Sequence, residues 1–166
     1  MGAVLVTGMS GTGKSTVLAE LARRGRRVVD TDYGDWCEEV PHPEHGSEQL
    51  WREDRMHALL AEPAADTLFV SGCVANQGAF YRRFDAIVLL SVPEDVLFDR
   101  VASRRTNDYG KTDAERALIL SDLCAVEPLL RAGATAEIDT RKPVHEVADL
   151  LESIAGVSDA SSSRAP

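Results

Sequence analysis

Short apolar runs alternate along the chain with stretches whose apolar residues recur at helical spacing. Ala3-Val4-Leu5-Val6 predicts a strand, and Thr16 to Arg24, with Val17, Leu18, Leu21 and Ala22 on one stripe and Gly25 as a stop, predicts a helix. Arg26 to Asp30 reads as a second strand, Thr67 to Val70 as a third, Ala86 to Leu90 as a fourth and Thr135 to Asp139 as a fifth. Helical patterns fill the spaces: Glu48–Ala61, Ala75–Arg83, Glu94–Arg104, Thr112–Arg131 with Pro128 interrupting or kinking its last turn, and Pro143–Ala155. Residues 33–47, rich in Gly, Pro, His and acids, read as an irregular excursion, and 105–111 as an exposed polar loop. This strand and helix alternation predicts an α/β fold of three layers, a five-stranded parallel sheet with right-handed crossovers and helices on both faces. One domain over 1–156 is expected, with a flap at about 33–62, a lid at about 105–112 and a disordered tail over 157–166.

Composition narrows the partners. A formal net charge of −9 and a pI of about 4.9 argue against nucleic acid or an anionic membrane, both of which reward broad basic surfaces. Cysteines 37, 73 and 124 are widely spaced, with no C-x-x-C pair, and read as reduced thiols rather than a disulfide framework or zinc site. His42, His45, His57 and His145 have no ligand spacing. The first strand begins almost at the N-terminus, and no apolar run approaches ~18 residues, so no leader and a cytoplasmic location are expected.

The chemistry concentrates in Gly8-Met9-Ser10-Gly11-Thr12-Gly13-Lys14-Ser15, which fits G-x-x-x-x-G-K-[S/T] between a strand and a helix. Glycines let backbone N–H groups wrap a phosphate, and the helix N-terminus adds positive partial charge. Lys14 can reach the β- and γ-phosphates, and Ser15 can ligate Mg²⁺. Gly8, Ser10, Gly11, Thr12, Gly13, Lys14, Ser15 and Thr16 are therefore the expected ATP contacts. Asp30-Thr31-Asp32 leaves the carboxyl end of the second strand, where ligands of open α/β sheets sit, though aspartates there also suit a turn cap. The N/T-K-x-D and D-x-x-G elements of GTP switches are absent. So is the strand-terminal Asp-Glu with which ATPases activate water.

These features resemble the nucleoside monophosphate kinase-like superfamily, and within it the shikimate and gluconate kinases, over nearly the whole chain to about residue 155. The residues that carry the resemblance are the phosphate loop, the Asp30/Asp32 pair, Gly72 after the third strand, and Arg100 with Arg104 before a short lid. The resemblance implies ATP-dependent transfer to a small hydroxylated acceptor, with Asp32 on the acceptor hydroxyl and Asp30 with Ser15 on the Mg²⁺ side. It also implies Arg104 and Arg105 as lid residues on the nucleotide, although arginines also complement a helix C-terminus. Lys14, Asp32 and Arg104 form the expected catalytic set, and Arg55, Gly72 and Arg82 are expected on the acceptor side. The chain departs from shikimate kinases in having Ser71-Gly72-Cys73 where they carry a glycine run. A nucleoside monophosphate kinase, with arginines gripping an acceptor phosphate, and a nucleotide-binding regulatory protein with little turnover remain alternatives. A monomer or small homo-oligomer is expected.

Overall fold

A computed structural model of the chain describes residues 2–44, 46–63, 65–103, 105 and 110–157. Its centre is a parallel sheet of β1 (Ala3–Thr7), β2 (Arg27–Asp30), β5 (Leu68–Ser71), β6 (Ala86–Ser91) and β7 (Ala136–Asp139), in the order β2-β5-β1-β6-β7. All five expected strands are present and parallel. Strands β1, β5 and β6 are apolar at almost every position, as strands buried on both faces must be. The chain leaves β1 for one side of the sheet and later crosses to the other, so the topological switch lies at the carboxyl end of β1.

Helices cover both faces. On one, α1 (Lys14–Arg23) and α5 (Val144–Ile154) pack Val17, Leu18, Leu21, Val147 and Leu151 onto Val4, Val6, Phe69 and Val88. Glu152, at the edge of this layer, accepts from Arg24 at 2.7 Å and from Arg26 at 2.5 Å, which ties the two helices together. On the other face, Met56 and Leu59 of α2 (Glu53–Ala61) and Phe80 of a 3-10 helix (Gln77–Arg83) meet Leu5 and Val70. The remaining helices are α3 (Glu94–Ser103) and α4 (Asp113–Gly133), the latter opened by a Thr112/Glu115 capping box. Among the described residues no helix is long and apolar enough to cross a membrane.

Two expectations fail locally. Residues 33–47 are not wholly irregular, and the helix expected from Glu48 begins at Glu53. Between them lies an antiparallel hairpin, β3 (Cys37–His42) with β4 (Gly46–Trp51). Its strands carry Glu38, Glu39, Glu48 and Gln49 with little buried surface, so no apolar alternation announces them. Pro128 does not interrupt α4, which runs on to Gly133. It sits on the exposed side, where water can serve the carbonyl a proline leaves unbonded. Arg104, residues 106–109 of the lid expected at about 105–112, and residues 158–166 of the tail expected over 157–166 lie outside the described residues.

Candidate active site

The loop between β1 and α1 is shaped by close approaches. A side chain at Gly8 would meet the Leu90 carbonyl oxygen at 2.4 Å and Thr12 Oγ1 at 2.8 Å. Gly13 caps α1 at φ 97°, ψ 18°, in the left-handed region that glycine enters at little cost, and, having no side chain, makes no cap bond to the helix's first amides. Those amides stay directed at the loop's mouth, the arrangement that holds anions. Lys14 is buried, and its Nζ donates to Gly8 O at 2.6 Å and Met9 O at 3.1 Å, while Thr12 Oγ1 donates to Met9 O at 2.8 Å.

Beside the loop lies a cleft of about 510 Å³, lined by Ser10, Gly11, Gly13, Lys14, Ser15 and Thr16 and, across from them, Asp32 and Tyr33. Arg100, Thr140, Lys142 and Val144 form another wall. Ser15 Oγ donates to Asp30 Oδ2 at 2.6 Å, and Asp30 Oδ1 accepts from the Asp32 amide at 3.2 Å. The second strand's carboxylates therefore reach the first turn of α1, with Asp30 also capping its own turn. Asp32 is exposed to the cleft, yet the surrounding walls desolvate its carboxyl and push its pKa above the ordinary value. Lys14 opposes that rise and the Asp30 charge adds to it. Cys73 borders the same region, its thiol pushed up by burial against an opposing pull from Lys14.

The donors at the floor suit a hard divalent cation. Ser15 and Asp30 offer a hydroxyl and a carboxylate, and the Ser71 hydroxyl is fully buried without a hydrogen-bond partner, level with Asp30 in the β2/β5 register. Among the described residues no group of three or more His, Cys, Asp or Glu side chains forms a metal cage.

Periodicity gave no sign of the ties on the nucleotide side. Arg100 donates to Thr140 Oγ1 at 2.9 Å and to the Thr140 carbonyl, and Thr140 Oγ1 donates to Thr12 O at 2.6 Å. Helix α3, the loop after β7 and the phosphate loop are thereby joined. Arg100 is drawn inward rather than to a surface acid on its own helix. Arg105 is exposed and does not line the cleft, and Arg104 lies outside the described residues.

Of the residues expected on the acceptor side, Asp32 lines this cleft, and Arg55, Gly72 and Arg82 do not. Arg55 lies over the Trp36 ring at 5.2 Å and pairs with Asp35 at 2.9 Å, and Arg52 bonds Asp35 and Glu38. Arg82 is exposed on the 3-10 helix. A Cβ on Gly72 would stand 2.4 Å from Thr31 Oγ1 and 2.8 Å from the Trp51 ring, so its bareness admits a buried indole. Trp51 Nε1 donates to Thr31 Oγ1 at 2.9 Å, and Thr31 Oγ1 donates to Ser71 O at 2.7 Å. Asn76 clamps the Trp51 backbone on both its N–H, at 2.9 Å, and its carbonyl, at 3.0 Å.

The family model described as an AAA domain matches residues 4–121, which spans β1, the phosphate loop and both strand-end aspartates. The chain belongs to this AAA-domain family. No curated protein matches this AAA domain in sequence. Its fold is shared with small-molecule kinases of the phosphate-loop class, as the resemblance implied. Shikimate kinase from Bacteroides thetaiotaomicron is 20% identical at a TM-score of 0.65, covering 93% of this chain and 98% of that one. Shikimate kinase from Acinetobacter baumannii, in complex with shikimate, is 19% identical at 0.65, with 94% of each chain covered. A gluconokinase from Sinorhizobium meliloti 1021 is 21% identical at 0.60, covering 94% of this chain and 91% of that one.

Proposed function

We propose that this AAA domain is a small-molecule kinase that moves the γ-phosphate of ATP to a hydroxyl group. The observation that carries the reading is Asp32, a carboxylate whose basicity is raised by its surroundings and which lines one cleft with Lys14 of the phosphate loop. Water activation has no comparable agent on β5 or β6, whose ends carry Ser71 and Ser91.

Lys14 and the loop amides hold the phosphates, with Gly8, Ser10, Gly11, Thr12, Gly13 and Thr16 shaping the cradle. Ser15 and Asp30 hold Mg²⁺, which when bound neutralises charge on the phosphate oxygens. Asp32 orients the acceptor hydroxyl. As the acceptor oxygen bonds to the γ-phosphorus, the bond to the ADP oxygen breaks and the hydroxyl proton passes to Asp32. Arg104 and Arg105 close over the nucleotide from the lid, while Gly72, Arg55 and Arg82 do not line the cleft that holds Asp32.

A hydroxyl acceptor is favoured over a nucleoside monophosphate because none of Arg52, Arg55, Arg82 and Arg83 lines the cleft, and Arg52 and Arg55 are already paired with Asp35 and Glu38. Gripping a phosphate with either would cost those pairs. The test is ADP release from ATP over a panel of polyols, sugars, sugar acids and nucleoside monophosphates. Release that rises with a hydroxylated acceptor and stops in Asp32→Asn supports the reading. Turnover with monophosphates alone, or acceptor-independent hydrolysis, sinks it.

A further inference from the structure

Helix α4 is apolar on two opposite sides. Inward, Ile119 and Leu130 are buried, and Leu123 and Val126 pack beside them. Outward, Leu118 and Leu129 are 56% and 71% exposed. At 3.6 residues per turn these two leucines fall on an arc of about 120° opposite the buried stripe. The arc carries no charge, although 27% of the chain's residues are charged. Its other members are Ala114, Ala117, Ser121, Ala125, Pro128 and Ala132, all exposed.

The spacing of these residues is self-complementary. Under a two-fold axis level with Leu123, which reverses the helix but keeps each residue on its own edge, Ala114 falls on Ala132, Ala117 on Pro128, Leu118 on Leu129 and Ser121 beside Ala125. The leucines thus meet each other along one edge and Ala117 meets Pro128 along the other, and no position on the arc is left facing a charge. A two-fold axis is the operation that generates such a pairing, in which one patch serves both sides. The edges agree in charge. Asp113 and Arg131 lie on one flank at opposite ends of the helix, so the turn brings each Arg131, beyond its own Glu127 and Glu137, beside the second copy's Asp113.

We propose that a second copy of this chain docks on this face, with the two α4 helices antiparallel across a two-fold axis at Leu123. The small residues let the helix backbones approach closely, and the outward leucines are removed from water in the dimer. One group works against the pair: Asp122 flanks the axis, so its two copies face each other. Cys124, exposed, flanks the axis on the other edge, which puts its two copies within reach of a short cross-linker.

Sedimentation equilibrium on the full chain should give twice the 18.0 kDa monomer mass. Leu129→Glu should return it to a monomer with an unchanged helical circular dichroism spectrum, and Asp122→Asn should tighten association several-fold. A short bis-maleimide should link two chains in the wild type and none in Cys124→Ser. A monomer at every concentration, or a dimer that Leu129→Glu leaves intact and that does not link through Cys124, would overturn the proposal. The gain expected from Asp122→Asn and the link through Cys124 do not depend on how well Leu129→Glu folds.

Discussion

On the nucleotide side of the cleft, hydrogen bonds pass from element to element: Lys14 to Gly8 and Met9, Thr140 to Thr12, Arg100 to Thr140. On the opposite side the β3–β4 hairpin and the start of α2 are held by their own charges, Arg52 and Arg55 on Asp35 and Glu38, and join the core chiefly through Trp51. The first arrangement fixes a phosphate cradle whatever the acceptor. The second is a polar arm whose outward residues can vary without disturbing the sheet, which is where acceptor choice is best housed.

The largest effect should come from the nucleotide side. Lys14→Ala removes the one buried ammonium at the loop's mouth, and the loss of such a positioned donor lowers kcat by about 10³-fold. ATP affinity should fall with it. Calorimetric titration with ATP and a coupled assay check both, and near-normal binding would show that the loop amides alone suffice.

Asp32→Asn tests where the two sides meet. Turnover should drop by about 10²-fold or more while ATP binding is retained. The base works deprotonated, so the rate should fall as pH is lowered, with an inflection above the ordinary aspartate range because burial raises the carboxyl. The same raised pKa means that the folded chain takes up this proton before the unfolded chain does. Asp32 therefore favours folding at low pH and loses that contribution as pH rises through its folded value. At neutral pH Asp32→Asn should leave Tm unchanged or higher. A lower Tm with unchanged turnover would make Asp32 a structural turn residue.

The parallel sheet was legible because strands buried on both faces must be apolar at every position, and β1, β5 and β6 are. The phosphate loop was legible because its spacing carries its own mechanics. The hairpin was not, since a strand pair solvated on most of its surface shows no period-2 signal, and Leu50 and Trp51 joined the helical pattern of α2 instead. The hydrogen-bonding roles of Thr31, Asn76, Arg100 and Thr140 were hidden for another reason. Each residue acts through a hydrogen bond to a residue distant in sequence, and no local pattern encodes that.

Thr31→Val probes how the arm is attached. The substitution keeps shape but leaves the buried Trp51 indole N–H without its acceptor, and removes a donor from the Ser71 carbonyl. A buried polar group stranded in this way costs about 1–3 kcal/mol. The loss should appear in the denaturant midpoint with the slope unchanged, and hydrogen exchange should quicken in β3 and β4 before the central sheet. Uniform exchange over the whole chain would mean that the hairpin and sheet unfold as one unit.

Arg100→Ala should give the smallest effect and the most selective one. It removes the donors that hold Thr140, while Thr140 Oγ1 keeps its bond to Thr12 O, so the phosphate loop retains one of its two ties. Hydrogen bonds to a charged donor contribute about 1.5–3 kcal/mol each when intact, and solvent around a half-buried guanidinium reduces that, so a rise in KM for ATP of about tenfold is expected. KM for the acceptor should not move, because Arg100 has no contact with the hairpin side. Arg100→Lys should recover little, since one ammonium cannot serve both the hydroxyl and the carbonyl of Thr140 as a guanidinium does. If both KM values rose together, the two sides of the cleft would be coupled through α3, and the nucleotide cradle would not be independent of the acceptor arm.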